Sequence, residues 1–360
     1  MQIELTTPGL LLKPDGRLAQ VGWARQPLLD CNLENARFYA LKFLQFLRLK
    51  RWDYYAVFTP QRFFSATIAD LGYAANIFVY TLDFTTGDLH EEGLVIPLSK
   101  GVSLPRNSTQ GDAHFTDKHA HLDFRLVAES RQVSVSWPSF HAGRGIQAEI
   151  SLSCPPQHES MTIVIPIQKH RFYYNRKVNC LPATGFIQYG DVREDLTPDR
   201  CLGSLDWGRG VWEYRSFWNW ASASGFLPDG RTIGLNLGCG FGDTSAATEN
   251  CIVLNGQIHK LEQVKFEYDS PDYMKPWRFS ESTHQQSGDI AHPRAGKPSS
   301  RLELEFVPFK DRAARTNLGI ISSEVHQMFG RYHGCVISDD GEEIQIRDLI
   351  GFAEEHRARW

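Results

Sequence analysis

Between Leu205 and Gly225 the chain reads LDWGRGVWEYRSFWNWASASG. A carboxylic acid, Asp206, stands there among Trp207, Trp212, Trp218 and Trp220, with Arg209, Tyr214 and Arg215 close by. Indole rings are costly to leave in water and need a partner for their N–H when buried. A carboxyl group set among them loses hydration, which raises its pKa and lets it hold a proton near neutrality. Such a group can deliver that proton to an alkene or to a leaving oxygen. Arg209 offers the opposite reading, an Asp206–Arg209 pair that fixes a turn, because a nearby cation favours the carboxylate. For the rings, too, two readings stand: a dense core seam, or the walls of an apolar pocket.

Spacing adds detail. Trp218 and Trp220 are two apart, so a strand turns both to one face and Asn219 to the other. Downstream, GRTIGLNLGCGFGD holds many glycines, which weaken a strand unless another group approaches its backbone closely. Its G-x-G-x-G at 238–242 is not followed by a helix pattern, so no dinucleotide site is expected. There is no G-x-S-x-G elbow and no P-loop, and no cofactor is expected. The segment QKHRFYYNRKVNCLPATG interleaves Lys169, His170, Arg171, Arg176 and Lys177 with Tyr173 and Tyr174. That mixture suits an anionic head group, or simply a solvated strand face. His119 and His121 form an H-x-H pair with His114 upstream, but no third ligand is evident and no metal is expected.

The elements that must position these residues show a period of two. HLDFRLVAES, RQVSVSW, GIQAEISLSC and RLELEFVPF each alternate apolar and polar residues. Alternation of that kind marks antiparallel strands with one dry and one wet face. Turn signals separate them: TTGD at 85–88, PDG at 228–230, NG at 255–256 and DDG at 339–341. Helix is expected only over 33–49, where Phe38, Leu41 and Leu44 fall near helical spacing, and at the C-terminal LIGFAEEHRARW. SCPPQHESM near 153–161 and the polar stretch 280–300 read as connections.

A chain of 360 residues is long for one core, so two domains are expected, 1–185 and 186–360, dividing somewhere in 155–200. The net charge of -4 argues against nucleic acid as a partner, and no apolar run is long enough for a membrane span. MQIELTTPGLLLKPDG has no secretory pattern. The seven cysteines are odd in number and make no CxxC pair, which fits free thiols in a reducing cytoplasm.

The run from Lys177 to Gly242, with TEN at 248–250, PW at 276–277, FGRYHG at 329–334 and the terminal GFAEEHRARW, resembles a bacterial family known by a domain-of-unknown-function label. More distantly, the order of Gly185, Asp206, Trp218, Trp220, Asp229 and Gly230 is similar to that in carotenoid 1,2-hydratases, tocopherol cyclases and related lipocalin-like cyclases. The resemblance implies two calycin-like antiparallel β-barrel domains and acid-catalysed hydration or cyclisation of apolar polyenes. It sets Asp206 at the motif's acidic position, although Trp207 follows where those relatives often carry histidine.

The expected fold is therefore all-β with minor helix, two lipocalin-like β-barrels, with an apolar pocket near their junction. In the enzyme reading Asp206 is the acid of a hydratase, cyclase or isomerase acting on an isoprenoid or lipid-like substrate. Trp218 and Trp220 steady developing positive charge through their ring faces. Tyr214, Arg209 and Asn236 orient the substrate, and Trp207, Tyr173 and Lys169 complete its binding surface. In the alternative reading the same pocket binds a lipid or apolar metabolite without proton transfer.

Overall fold

The computed structural model describes residues 2–39, 41–282, 300–317 and 321–359. Most of the 280–300 stretch therefore lies outside the described residues. Strands dominate, and they form two curled antiparallel half-barrel sheets, the all-β architecture expected from the alternation. The alternating segments become the strands His121–Val127, Ser130–Trp137, Ile146–Ser153 and Leu302–Asn317.

At the centre of the first sheet three strands lie side by side: Leu49–Phe58, Leu202–Val211 and Arg171–Tyr189. Asp206 stands opposite Tyr54 on one neighbour and Lys177 on the other. These strands are wrapped on both faces. Tyr55, Val57, Tyr174, Val178, Leu205, Trp207 and Val211 point into the core of the first half-barrel. Their alternate residues, including Trp52, Tyr54, Tyr173, Lys177 and Asp206, point toward the second sheet.

In the second sheet Arg215–Phe226 and Ser322–Ile337 flank Glu343–Arg359. Ala221, Leu235, Trp277, Phe306 and Tyr332 fill that half-barrel's own core. Two apolar clusters join the halves. One is built on Trp23, Ile163, Tyr173, Trp212 and Val253, the other on Tyr54, Phe63, Tyr80, Phe329 and Phe352. The chain passes between sheets at 212–214, after 171–189 and 202–211 have paired inside the first sheet. The proline-bearing 153–161 stretch is a connection within that sheet.

Neither expected helix forms. Residues 33–49 make short 3-10 turns, Leu33–Asn35 and Lys42–Arg48, and lead directly into a strand; residue 40 lies outside the described residues. The buried Gln45 carboxamide accepts the Phe38 and Tyr39 N–H groups at 2.5 and 2.9 Å, closing a loop instead of continuing a helix. The C-terminal segment, rich in helix-favouring Ala, Glu and Arg, is a strand with a hydrogen-bonded partner on each side; pairing overrides propensity. All seven cysteines are free thiols. Among the described residues no helix is long and apolar enough to cross a membrane.

Candidate functional site

A cavity of about 570 Å³ opens between the two sheets, within the size range of small-molecule sites. Asp206 lies in its wall, 7% exposed, and three donors converge on it. Asn175 Nδ2 and Trp52 Nε1 donate to Oδ1 at 2.6 and 3.0 Å, and Lys177 Nζ donates to Oδ2 at 2.6 Å. The local sequence makes this possible. A Cβ at Gly208 would stand 1.9 Å from the Trp52 ring, so the missing side chain is what lets that indole lie across the strand and reach Asp206. Lys177 is held from the other side by the Trp220 ring, 3.7 Å away, a cation–π contact that strengthens out of water.

Two further carboxyl groups line the cavity. Glu354 is 6% exposed and accepts from Trp218 Nε1 and Gln327 Nε2, both at 3.1 Å. Both donors are neutral, and burial pushes the Glu354 carboxyl up to about 7, so it exchanges its proton near neutrality. Arg312, whose charge pulls against that rise, is itself paired with Glu91 through two contacts of 2.6 and 2.8 Å. Glu249 sits 3.9 Å from Lys177, and burial raises its pKa against that lysine's pull. Gly238 makes room for it, since a Cβ there would lie 2.1 Å from the carboxylate. His356 bonds Ser323 Oγ at 2.8 Å and packs on Trp218; burial pushes it down to about 3, so its imidazole is neutral. Lys50, donating to the Leu71 carbonyl at 2.6 Å, is pushed down to about 7 by burial and by the charge of Arg48.

One end of the cavity is an aromatic box. Trp212 stands 5.2 Å from Trp52, 5.4 Å from Trp218 and 4.8 Å from Phe241, each edge to face, and Tyr173 meets Phe241 at 5.1 Å. Rings gathered in this way make a wall that suits apolar ligands, and a ring face turned to the ligand suits positive charge.

Of the residues singled out in the sequence, Asp206, Trp218, Trp220 and Tyr173 meet in this cavity. Asn236 stands behind it, accepting the Trp220 N–H at 2.8 Å and so fixing that ring. Arg209 and Trp207 do not join them. Their odd positions on an extended strand turn them away from Asp206, into the first core, where Arg209 pairs with Asp53 at 3.0 Å. The Asp206–Arg209 turn pair is thereby replaced by Asp206–Lys177. Tyr214, 41% exposed in the link between the sheets, is not part of the cavity wall, and Lys169 lies exposed in the turn before the 171–189 strand. One face of Trp220, expected to meet a substrate cation, is already taken by Lys177.

Sequence reasoning missed Trp52, Glu249, Glu354 and His356. A period-two reading of GFAEEHRARW would have set Phe352, Glu354 and His356 on one face. The H-x-H region also differs from expectation. His114, His121 and Asp123 bring ligand atoms within 4.8 Å of one another, but Asp123 is already engaged by Arg125.

No curated protein matches this chain. Several solved structures resemble it, two of them as follows. A candidate ATTH protein of Nitrosomonas europaea aligns with a TM-score of 0.48 and 11% identity, over 90% of this chain and 95% of that one. Kievitone hydratase of Nectria haematococca aligns with a TM-score of 0.44 and 10% identity, over 86% and 88%. The family described as Domain of unknown function (DUF2804) matches residues 2–360, and the chain belongs to that family.

Proposed function

We propose that the two half-barrels act as domains that enclose an apolar isoprenoid or lipid-like molecule between them, and that the protein catalyses a proton-initiated reaction of its alkene. The observation that carries this reading is Glu354, a buried carboxyl with a pKa near neutrality, set in the wall of a largely aromatic cavity. Glu354 replaces Asp206 as the acid in this reading, because Asp206 already accepts three hydrogen bonds, one from a cation.

In the step proposed, the Glu354 O–H passes its proton to one alkene carbon and the π pair forms the new C–H bond. The positive charge left on the other carbon is steadied by the aromatic box and by the Asp206 carboxylate. The Glu354 carboxylate then takes a proton back: from the carbon next to the cation to give an isomer, from the cation left when a second alkene attacks to give a ring, or from the water that adds to give an alcohol. Aromatic walls and a negative net charge support a small apolar partner over nucleic acid, and free thiols support a reducing cytoplasmic compartment.

Native mass spectrometry of the protein purified from its own host tests the binding half. An apolar molecule released on activation is expected, and less of it from Trp218→Ala, which removes contact area from the wall. A protein that carries no such molecule and takes up none from a host lipid extract would end the proposal.

A further inference from the structure

At one end of the second sheet, bordering the interdomain cavity at Thr316 and Ser323, lies another cavity of about 450 Å³. It gathers Arg215, Arg315, Arg357 and Arg359 from three strands. The ladder sets Arg215 directly opposite Arg359, two like charges on one face. Glu324 stands opposite both Arg357 and Arg315. Arg357 is paired with Glu355 at 2.6 Å, and Arg359 bonds the Ser322 hydroxyl at 2.8 Å. Among the described residues no carboxylate lies within ion-pair distance of Arg215 or Arg315.

Like charges directly opposite each other weaken a β-ladder, so an uncompensated arginine pair is a cost the sheet carries without structural return. It does so in a chain whose net charge is -4, where such a concentration of positive charge is not background. Guanidinium forks match the oxygens of a phosphate in two-point contacts, and the Ser322 hydroxyl, which accepts from Arg359, adds its own O–H as a neutral donor along the same wall. The space admits more than a single phosphate.

We infer that this arginine-lined cavity, which adjoins the interdomain pocket but has its own arginine wall, is a binding site for a phosphate- or diphosphate-bearing ligand. The same chemistry is offered by a soluble phosphate ester and by an anionic lipid headgroup.

The test uses the full chain and two probes: calorimetric titration with inorganic pyrophosphate, and co-sedimentation with phosphatidylcholine vesicles containing or lacking phosphatidic acid. Binding of pyrophosphate that weakens with added salt is expected, because guanidinium–phosphate contacts are screened. Arg215→Gln and Arg315→Gln should each weaken it about tenfold, the loss of one charge-assisted contact. Arg17→Gln, an exposed arginine paired with Asp15, should leave it unchanged. Arg215→Gln should also raise the thermal midpoint by relieving the Arg215–Arg359 opposition, which separates lost binding from lost folding. Binding to acidic vesicles alone would assign the site to a lipid headgroup, and binding to pyrophosphate alone to a soluble ligand. Binding of neither probe, or wild-type affinity in both glutamine variants, overturns the inference.

Discussion

Replacing Glu354 by Gln should change the pH dependence of stability in a way that only a buried, proton-sharing carboxyl explains. The sign follows from linkage. Glu354 has its folded pKa raised by burial from 4.5 to about 7, so the folded state holds a proton that the unfolded state has lost across that window. Wild-type stability therefore falls as pH rises from 4.5 through 7 and then levels. A shift of that size amounts to about 2.5 kcal/mol between about pH 5 and pH 8, using about 1.4 kcal/mol per unit. Glutamine does not titrate, so it removes that slope. It also faces the Gln327 amide N–H with a second N–H, a mismatch that costs about 1 kcal/mol at every pH. The variant should thus be slightly less stable than wild type at about pH 5 and more stable at about pH 8. The crossing is visible as a relative shift of about 3 °C in thermal midpoint for a chain of this length. Paired thermal melts by circular dichroism at the two pH values decide it. An equal destabilisation at both would mean that Glu354 is an ordinary ionised structural carboxylate, and the proton-donor reading would fall.

Asp206→Asn should lower stability by about 3 kcal/mol, because it leaves the buried Lys177 charge without its main partner. Lys177→Met added to it should restore most of the loss, and a double-mutant cycle in urea measures the coupling. Gly208→Ala should cost about 1–3 kcal/mol by driving the Trp52 ring off the strand, seen as a lower urea midpoint and altered tryptophan fluorescence. Seven thiols should react with Ellman's reagent in protein unfolded without reductant; two fewer would reveal a bridge and a different compartment.

Legibility of the sequence followed exposure. Strands with one wet face, such as His121–Val127 and Leu302–Asn317, show their period directly and were readable. Leu202–Val211 is buried on both faces, so nothing in its polarity separated the Asp206 side from the Arg209 side; only the two-residue period of an extended chain does so. The C-terminal strand hid behind the helix propensity of Ala, Glu and Arg, and with it went Glu354 and His356. Their perturbed proton affinities come from burial by a sheet more than a hundred residues away in sequence, which local pattern cannot register. Trp218 and Trp220 were readable as a same-face pair. Asn236, a substrate contact on the sequence reading, instead accepts the Trp220 N–H and fixes that ring. The glycines at 208 and 238 mark where Trp52 and Glu249 approach, but a glycine shows that something comes close, not what.

The most direct test of the central claim is transfer of a solvent proton to carbon. Wild type and Glu354→Gln would be incubated in D2O with the apolar molecule recovered from the protein, and carbon-bound deuterium followed by mass spectrometry. Hydration, cyclisation and isomerisation all begin with that transfer, so the readout does not depend on which follows. Incorporation by wild type is expected, with a fall of about 10²–10⁴-fold in Glu354→Gln, the usual loss on removing a general acid, and with the amount of molecule bound unchanged. No incorporation by wild type, or equal rates in the two proteins, would contradict proton donation by Glu354 and leave a pocket that binds without catalysis.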